Sequence, residues 1–216
     1  MKLRPRHFWR IVMLLVLAIG LAVGPGALPA EPAPATLGLQ RAVQANRTAD
    51  ALRRLRAGAD PSALDEASRP PLYWAVLFGN DVVVGALLEH GANMRWTAPD
   101  GATLLHEAAR WPVLEPEAAT RPGAERPSLP GKLRIIGRLL GAGLDPNAVD
   151  GNGSTPLHIA AGLPLGGPES AVIVGRLLAA GSRSATPNAY GLTPLDLALR
   201  RGASELAAAM EKSRSE

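Results

Sequence analysis

Gly151-Asn152-Gly153-Ser154-Thr155-Pro156-Leu157-His158-Ile159-Ala160-Ala161 is the stretch that decides the fold. A glycine-rich turn runs into a threonine that can cap a helix N-terminus. Proline follows at the first helical position, where its missing N–H costs nothing. The Ala160-Ala161 pair is small enough to let that helix approach its neighbours closely. The same three-residue start recurs as Pro70-Pro71-Leu72, Thr103-Leu104-Leu105 and Thr193-Pro194-Leu195, at spacings of 33, 52 and 38. A second marker lies in Leu55-Arg56-Ala57-Gly58-Ala59-Asp60, Leu88-Glu89-His90-Gly91-Ala92-Asn93, Leu140-Gly141-Ala142-Gly143-Leu144-Asp145 and Leu178-Ala179-Ala180-Gly181-Ser182-Arg183. Its glycines, Gly58, Gly91, Gly143 and Gly181, give the same series of 33, 52 and 38. Two independent markers therefore define one period of 33 residues with insertions of 19 and 5.

These units resemble the ankyrin repeat. The resemblance rests on Thr155 to Ala161, on the second-helix run Ile173-Val174-Gly175-Arg176-Leu177-Leu178, and on the weaker copy Thr193-Pro194-Leu195-Asp196-Leu197-Ala198. Thr103-Leu104-Leu105-His106-Glu107-Ala108-Ala109 departs at its second position. Pro70-Pro71-Leu72-Tyr73-Trp74-Ala75-Val76 departs further, losing both Thr and His. The first unit, Leu39 to Asp60, keeps only Leu39, Ala42, Leu52, Leu55 and Gly58-Ala59-Asp60. The fold implied over residues 37–212 is an all-α ankyrin-repeat solenoid of about five helix-turn-helix units joined by short hairpin loops.

Each unit is built consistently with that reading. The second helices carry paired apolar residues such as Val83, Val84, Leu87 and Leu88, spaced for one buried face. Gly91, Gly143 and Gly181 suit a left-handed C-terminal cap, and Asp60-Pro61 and Asp145-Pro146-Asn147 are turn chemistry. A single helix pair cannot bury its own apolar face, so stacking of neighbours must make the core. The outer ends should be polar. Arg54 in the first unit and Glu205, Glu211, Lys212, Ser213 and Arg214 in the last fit that demand. The larger insertion, about 111–131, holds Pro112, Pro116, Pro122, Pro127 and Pro130, a density that forbids a regular helix interior. It reads either as a tolerated surface loop or as a second contact surface. The smaller insertion falls around residues 162–169.

Composition agrees. Among the 216 residues, 47% are apolar and 19% charged, close to a folded domain and far from a disordered chain. The chain has 38 alanines and 33 leucines against eight aromatics, which favours closely packed helices over sheets. With no cysteine, disulfides, thiolate metal sites and thiol nucleophiles are excluded.

The first thirty residues stand apart. Lys2, Arg4, Arg6 and Arg10 precede an apolar run from Ile11 to Val23, which Gly24-Pro25-Gly26 then breaks. Small residues follow at Ala27, Ala30, Ala33 and Ala35. This is the order of a secretory signal over residues 1–30, with cleavage expected near Ala30 or Ala35. Residues 31–36 read as a Pro/Ala-rich linker and residues 213–216 as a polar tail. Thirteen apolar residues make a helix of about 20 Å, short of a bilayer core of about 30 Å. The alternative is an uncleaved inner-membrane anchor facing the periplasm. Without the signal the charges balance at 19 bases and 19 acids. No nucleic-acid footprint is therefore expected.

Candidate chemistry is sparse. The resemblance implies that His106 and His158 brace the loop–helix junction by hydrogen bonds, with Thr103, Thr155 and Thr193 as structural motif residues. His90 falls in the last turn of a helix, where it suits the dipole. His106-Glu107 looks like the start of a zinc motif, but Arg110 stands where a second His is required. Gly151 to Thr155 resembles a phosphate loop without its lysine. Asp65-Glu66 reads as a solvated pair in a turn. No catalytic residue, metal ligand or cofactor site is expected.

What remains is a surface. The resemblance places partner contacts beside the hairpin glycines and after the Ala-Ala pair. Mapped here, they are Arg69, Phe78, Arg110, Trp111, Tyr190, Arg200 and Arg201, accompanied by Glu66, Leu77, Asp100, Asn152, Ser154 and Leu192. Aromatic and Arg residues dominate binding energetics, which favours Phe78, Arg110, Trp111 and Tyr190. The competing reading is that Phe78 and Trp111 pack under a loop; Trp96 is a weaker candidate. The expected function is an exported, bacterial interaction module. As a monomer it binds a folded envelope or periplasmic protein through a concave face, in an immunity-like or accessory role. An enzyme or ligand site in the insertion is the remaining alternative.

Overall fold

The computed structural model describes residues 34–110, 128–162 and 168–213. The signal expected over 1–30, Trp111 and most of the larger insertion lie outside the described residues.

Ten helices are described, in five antiparallel pairs: α1 (Pro34–Gln44) with α2 (Thr48–Arg56), α3 (Pro71–Phe78) with α4 (Asp81–Glu89), α5 (Leu104–Ala109) with α6 (Leu129–Gly141), α7 (Pro156–Ala161) with α8 (Pro168–Leu178), and α9 (Pro194–Arg200) with α10 (Ser204–Lys212). First helices touch first helices in the order α1, α3, α5, α7, α9, and second helices follow as α2, α4, α6, α8, α10. The serial stack predicted from the spacing is therefore present.

Two expected boundaries move. Residues 34–36, read as linker, open α1. The larger interruption ends by Ser128 rather than Gly131, because Leu129 to Gly131 already belong to α6. Pro130 lies in the first turn of that helix, where proline is tolerated, and Ser128 caps it by accepting from Gly131 N–H at 3.1 Å.

One core runs the length of the stack. Leu39, Leu55, Leu72, Val83, Leu87, Leu104, Ile135, Leu157, Ile173 and Met210 are all buried in it. Gly58, Gly91, Gly143 and Gly181 all take left-handed φ, between +80° and +90°. In each case the N–H of the next residue bonds back to the carbonyl five positions earlier, as from Ala92 to Leu87 at 2.9 Å. Only glycine adopts this φ without strain, which is why these glycines mark the period.

Hairpins join the pairs. In each, an N–H bonds to the carbonyl four residues on: Asp65 to Arg69, Ala98 to Ala102, Asp150 to Ser154 and Asn188 to Leu192, at 2.8–2.9 Å. The glycine-rich Gly151 to Ser154 segment is thus a hairpin turn, closed by the Asp150 carboxylate, which accepts from Asn152 and Ser154 N–H. Adjacent hairpins are tied by Ala189 N–H to the Asn152 carbonyl at 2.8 Å.

Thr155 accepts from His158 N–H while His158 Nδ1 accepts from Thr155 N–H at 3.0 Å. Thr103 with His106, and Thr193 with Asp196, make the same reciprocal cap. Because Nδ1 is an acceptor, the ring proton sits on Nε2, which donates across the stack: His106 to the Ser154 carbonyl at 2.9 Å and His158 to the Leu192 carbonyl at 3.1 Å. Each of these two histidines thus bonds its helix start to the following hairpin. His90 donates Nδ1–H to the Ala86 carbonyl at 2.8 Å at the end of α4.

Candidate interaction site

The second unit departs from the repeat motif at Pro70, Tyr73 and Trp74, and its departures cluster. Tyr73 and Trp74 rise from the first turn of α3, Phe78 from its last, and Trp96 from the following hairpin. Their rings form a continuous ladder. Trp96 meets Tyr73 edge-on at 5.7 Å, Tyr73 meets Trp74 at 5.2 Å, and Trp74 stacks on Phe78 at 6.1 Å. All four are half-buried, with Trp74 and Trp96 resting on the core. Such edge-on and offset contacts suit the ring quadrupoles and hold the faces rigid.

A carboxylate orients this ladder. Asp65 accepts from the N–H groups of Ala67 and Arg69 at 2.9 Å, from Trp74 Nε1–H at 3.0 Å, from Arg69 Nε–H at 3.1 Å and from Gln44 at 3.2 Å. Arg69 is thereby held over the Trp74 ring at 4.3 Å and the Tyr73 ring at 5.4 Å. Burial pushes the Asp65 carboxyl up, but the hydrogen bonds and the Arg69 charge outweigh it and hold it below the usual value of 3.8. The sequence reading of Asp65 as solvated is corrected here, since its side chain is nearly covered.

The expected contact residues therefore separate. Arg69 and Phe78 are brought together in the ladder. Arg110 is exposed and lies next to it through Glu107, whose carboxylate it meets at 3.4 Å; Glu107 also raises the Tyr73 hydroxyl, as burial does more strongly. Tyr190, at 70% exposure, stands on the last hairpin with its hydroxyl 3.5 Å from Asn152. Arg200 and Arg201 are exposed at the end of α9, beside an exposed Leu199.

Tyr73 and Trp74 were missed. The available signal was their place in the motif: Tyr73 stands where the later units have His106 and His158. Lys132, a charged residue beside the insertion where a ligand site is the alternative expectation, is fully buried. Its ammonium donates to the Glu107 carbonyl at 3.1 Å and to the Arg110 carbonyl, at the end of α5. That helix ends on an extended Arg110 and has no left-handed glycine, unlike α3 with Gly79. Lys132 supplies the donors a C-terminal cap needs. Burial pushes its amine down to about 7, with Arg110 adding to the effect and Glu107 opposing it.

Among the described residues no three His, Asp or Glu side chains could jointly hold a metal, and no helix is long and apolar enough to cross a membrane. A family model described as ankyrin repeats (3 copies) matches residues 39–118, and one described as ankyrin repeats (many copies) matches 124–173. A search of curated proteins finds no match.

Proposed function

Because the chain belongs to the ankyrin-repeat family, and so is a protein–protein interaction module, we propose that it is exported and binds a folded envelope protein through its first-helix face. The observation that carries this reading is the ring ladder Trp96–Tyr73–Trp74–Phe78, half-exposed and held in place by Asp65. A face ordered before contact loses little entropy on docking. Tyr190, Arg200 and Arg201 extend the contact toward the C-terminal units. The role is immunity-like or accessory, and the module acts as a monomer without catalysis.

Export rests on the order of residues 1–30: bases, apolar run, break, small residues. Cleavage after Ala30 suits the domain better than cleavage after Ala35. Ala35 lies in the first turn of α1 and packs against the core, so the later cut would truncate that helix. N-terminal sequencing of the exported chain decides between the two, and an intact Met1 in the membrane fraction would favour the anchor instead.

The binding face is tested by crosslinking in an envelope extract with wild-type, Phe78→Ala and Tyr190→Ala chains. Loss of the same crosslinked partner in both variants, with unchanged thermal unfolding, supports the assignment. Unchanged capture by both variants removes it.

A further inference from the structure

The second helices carry a charged surface of their own, on α4, α6 and α8. Val82, Arg134 and Val172 stand nine places before the left-handed glycines Gly91, Gly143 and Gly181, while Ala86, Arg138 and Arg176 stand five places before them. Residues four apart share one face of a helix, so the two rows lie side by side. All three arginines are exposed, as are Val82 at 55% and Val172 at 45%. Arg134 and Arg138 rise one turn apart from α6. Arg176 reaches across from α8 onto Gly137, which lies between them in the sequence. Its Nη2 is 3.0 Å from where a Cβ on Gly137 would stand, so the bare glycine seats the guanidinium. Asp81, at the start of α4, is already taken: Arg134 holds it at 2.7 and 3.0 Å, and the Arg134 hydrogen bonds, with the Arg138 charge adding to them, keep its carboxyl below the usual value. Glu89, the other acid of α4, stands at the far end of that helix. Neither Arg138 nor Arg176 meets a carboxylate at ion-pair distance among the described residues.

We propose that this part of the second-helix layer is a second interaction surface, and that it takes a carboxylate-rich segment of a partner protein. Three guanidinium groups gather at one turn of α6, and the acid beside them can neutralise one. Charge complementarity therefore calls for an anionic occupant. The planar guanidinium fork matches a carboxylate in two-point contact. The chain's own aspartates do not compete for the free pair. Asp60, Asp65, Asp100, Asp145 and Asp150 accept backbone N–H groups in turns, and Asp196 caps α9. An anionic membrane is the poorer fit. Helices that lie on a membrane set Trp, Phe or Leu beside their bases, whereas the exposed apolar side chains bordering these arginines are Val82 and Val172. The surface is independent of the ring ladder, which belongs to the first helices.

Fluorescence anisotropy of a labelled octaglutamate peptide, titrated with the full chain, tests this. The wild type should bind the peptide and not an octaglutamine control, and binding should weaken as salt rises from about 50 to about 300 mM. Arg138→Gln combined with Arg176→Gln should weaken it about tenfold, the worth of two exposed charge pairs. Arg41→Gln combined with Arg56→Gln removes the same charge from exposed places in the first unit and should leave binding unchanged. Equal loss in the two double variants would reduce the effect to net charge and overturn the proposal. So would no binding by the wild type, or binding that ignores Arg138 and Arg176. Phosphatidylglycerol vesicles held through those two arginines, with octaglutamate unbound, would overturn it in favour of a membrane surface. Phe78→Ala, which tests the first-helix face, should leave octaglutamate binding intact; its loss there would place the peptide on the ladder and remove this surface.

Discussion

The ring Nε2–H of His106 donates to the carbonyl of Ser154, 48 positions along the chain and 2.9 Å away. It is one rung of a series. His158 donates likewise to Leu192. Gln40 on α1 occupies the corresponding place in the first unit and donates its amide to the Arg69 carbonyl at 3.0 Å. In the second unit Tyr73 stands there, and reaches the next hairpin by ring contact with Trp96. In the last unit the place belongs to Asp196, which accepts from Thr193 N–H at 2.8 Å and has no N–H to offer. Here a carboxylate caps the helix start in place of an imidazole, accepting from both the N–H and the hydroxyl of Thr193.

Removing one rung should loosen the stack. His158→Ala strips the cap partner from Thr155 and the donor from the Leu192 carbonyl, and should cost about 2–3 kcal/mol in urea unfolding. His158→Gln should cost less, since Gln40 already makes the bridging bond in the first unit. The acid response follows from the ring. Burial, the leading cause, lowers the His158 pKa below 6.5. The unfolded chain then takes up the proton first, so this contribution is complete above pH 6.5 and is lost as pH falls through the folded value. His158→Gln should remove that part of the acid limb; an identical limb in the variant would contradict the assignment.

Two glycine classes should separate cleanly. A Cβ on Gly131 would meet the Gly79 carbonyl oxygen at 1.9 Å and its carbon at 3.0 Å, both backbone atoms that cannot swing aside. Gly131→Ala should therefore destabilise by about 3 kcal/mol or prevent folding. Gly85 in α4 and Gly175 in α8 meet nothing within 4 Å. Alanine at either should stabilise by about 0.5–1 kcal/mol through helix propensity. Thermal unfolding of the three variants checks both signs at once.

The stack was legible because it is written in spacing. A left-handed glycine and a capped helix start are local demands, and each copy of them is visible without knowing its neighbours. The binding ladder was less legible. Tyr73 and Trp74 read as decay of the motif, because a ring contact in place of a hydrogen bond leaves no pattern of its own. The burial of Asp65 and Lys132 was not legible for a different reason. A charge in a turn or beside a Pro-rich insertion is normally solvated, and only tertiary contacts bury these two. Arg110 could be placed from the family mapping, but its partner Glu107 could not, since the equivalent place in other units holds Trp74 and Ile159.

Asp65 is the fastening of the ladder, so its loss should be felt there. Asp65→Ala removes the acceptor of five donors and should cost about 2–3 kcal/mol. Asp65→Asn keeps an acceptor for the Ala67 and Arg69 N–H groups but drops the charge facing Arg69, and should cost roughly half as much. Tryptophan emission should shift to the red in both as Trp74 loses its partner. The folded carboxyl lies below 3.8, so its contribution is present above that value and is lost as pH falls through the folded value. Wild type and Asp65→Asn should accordingly converge in stability at the acid extreme. Parallel curves down to that extreme would show that the charge does not matter.

Lys132 should impose a limb of the same sign at higher pH. Its folded amine titrates at about 7 and its unfolded amine at the ordinary 10.5. Between those values the unfolded chain carries the extra proton, so stability rises with pH across that window, by at most about 1.4 kcal/mol per pH unit. Below about 7 the amine is charged in both states and the contribution is level. Lys132→Met keeps the buried stem and removes the titrating group, at the expense of the α5 carbonyls it served. The variant should be flat from about pH 7 to about 9 where the wild type climbs. Urea midpoints at those two values, read for both chains, give the difference directly; a wild type as flat as Lys132→Met would mean that the amine keeps its solvent value and is not buried in solution.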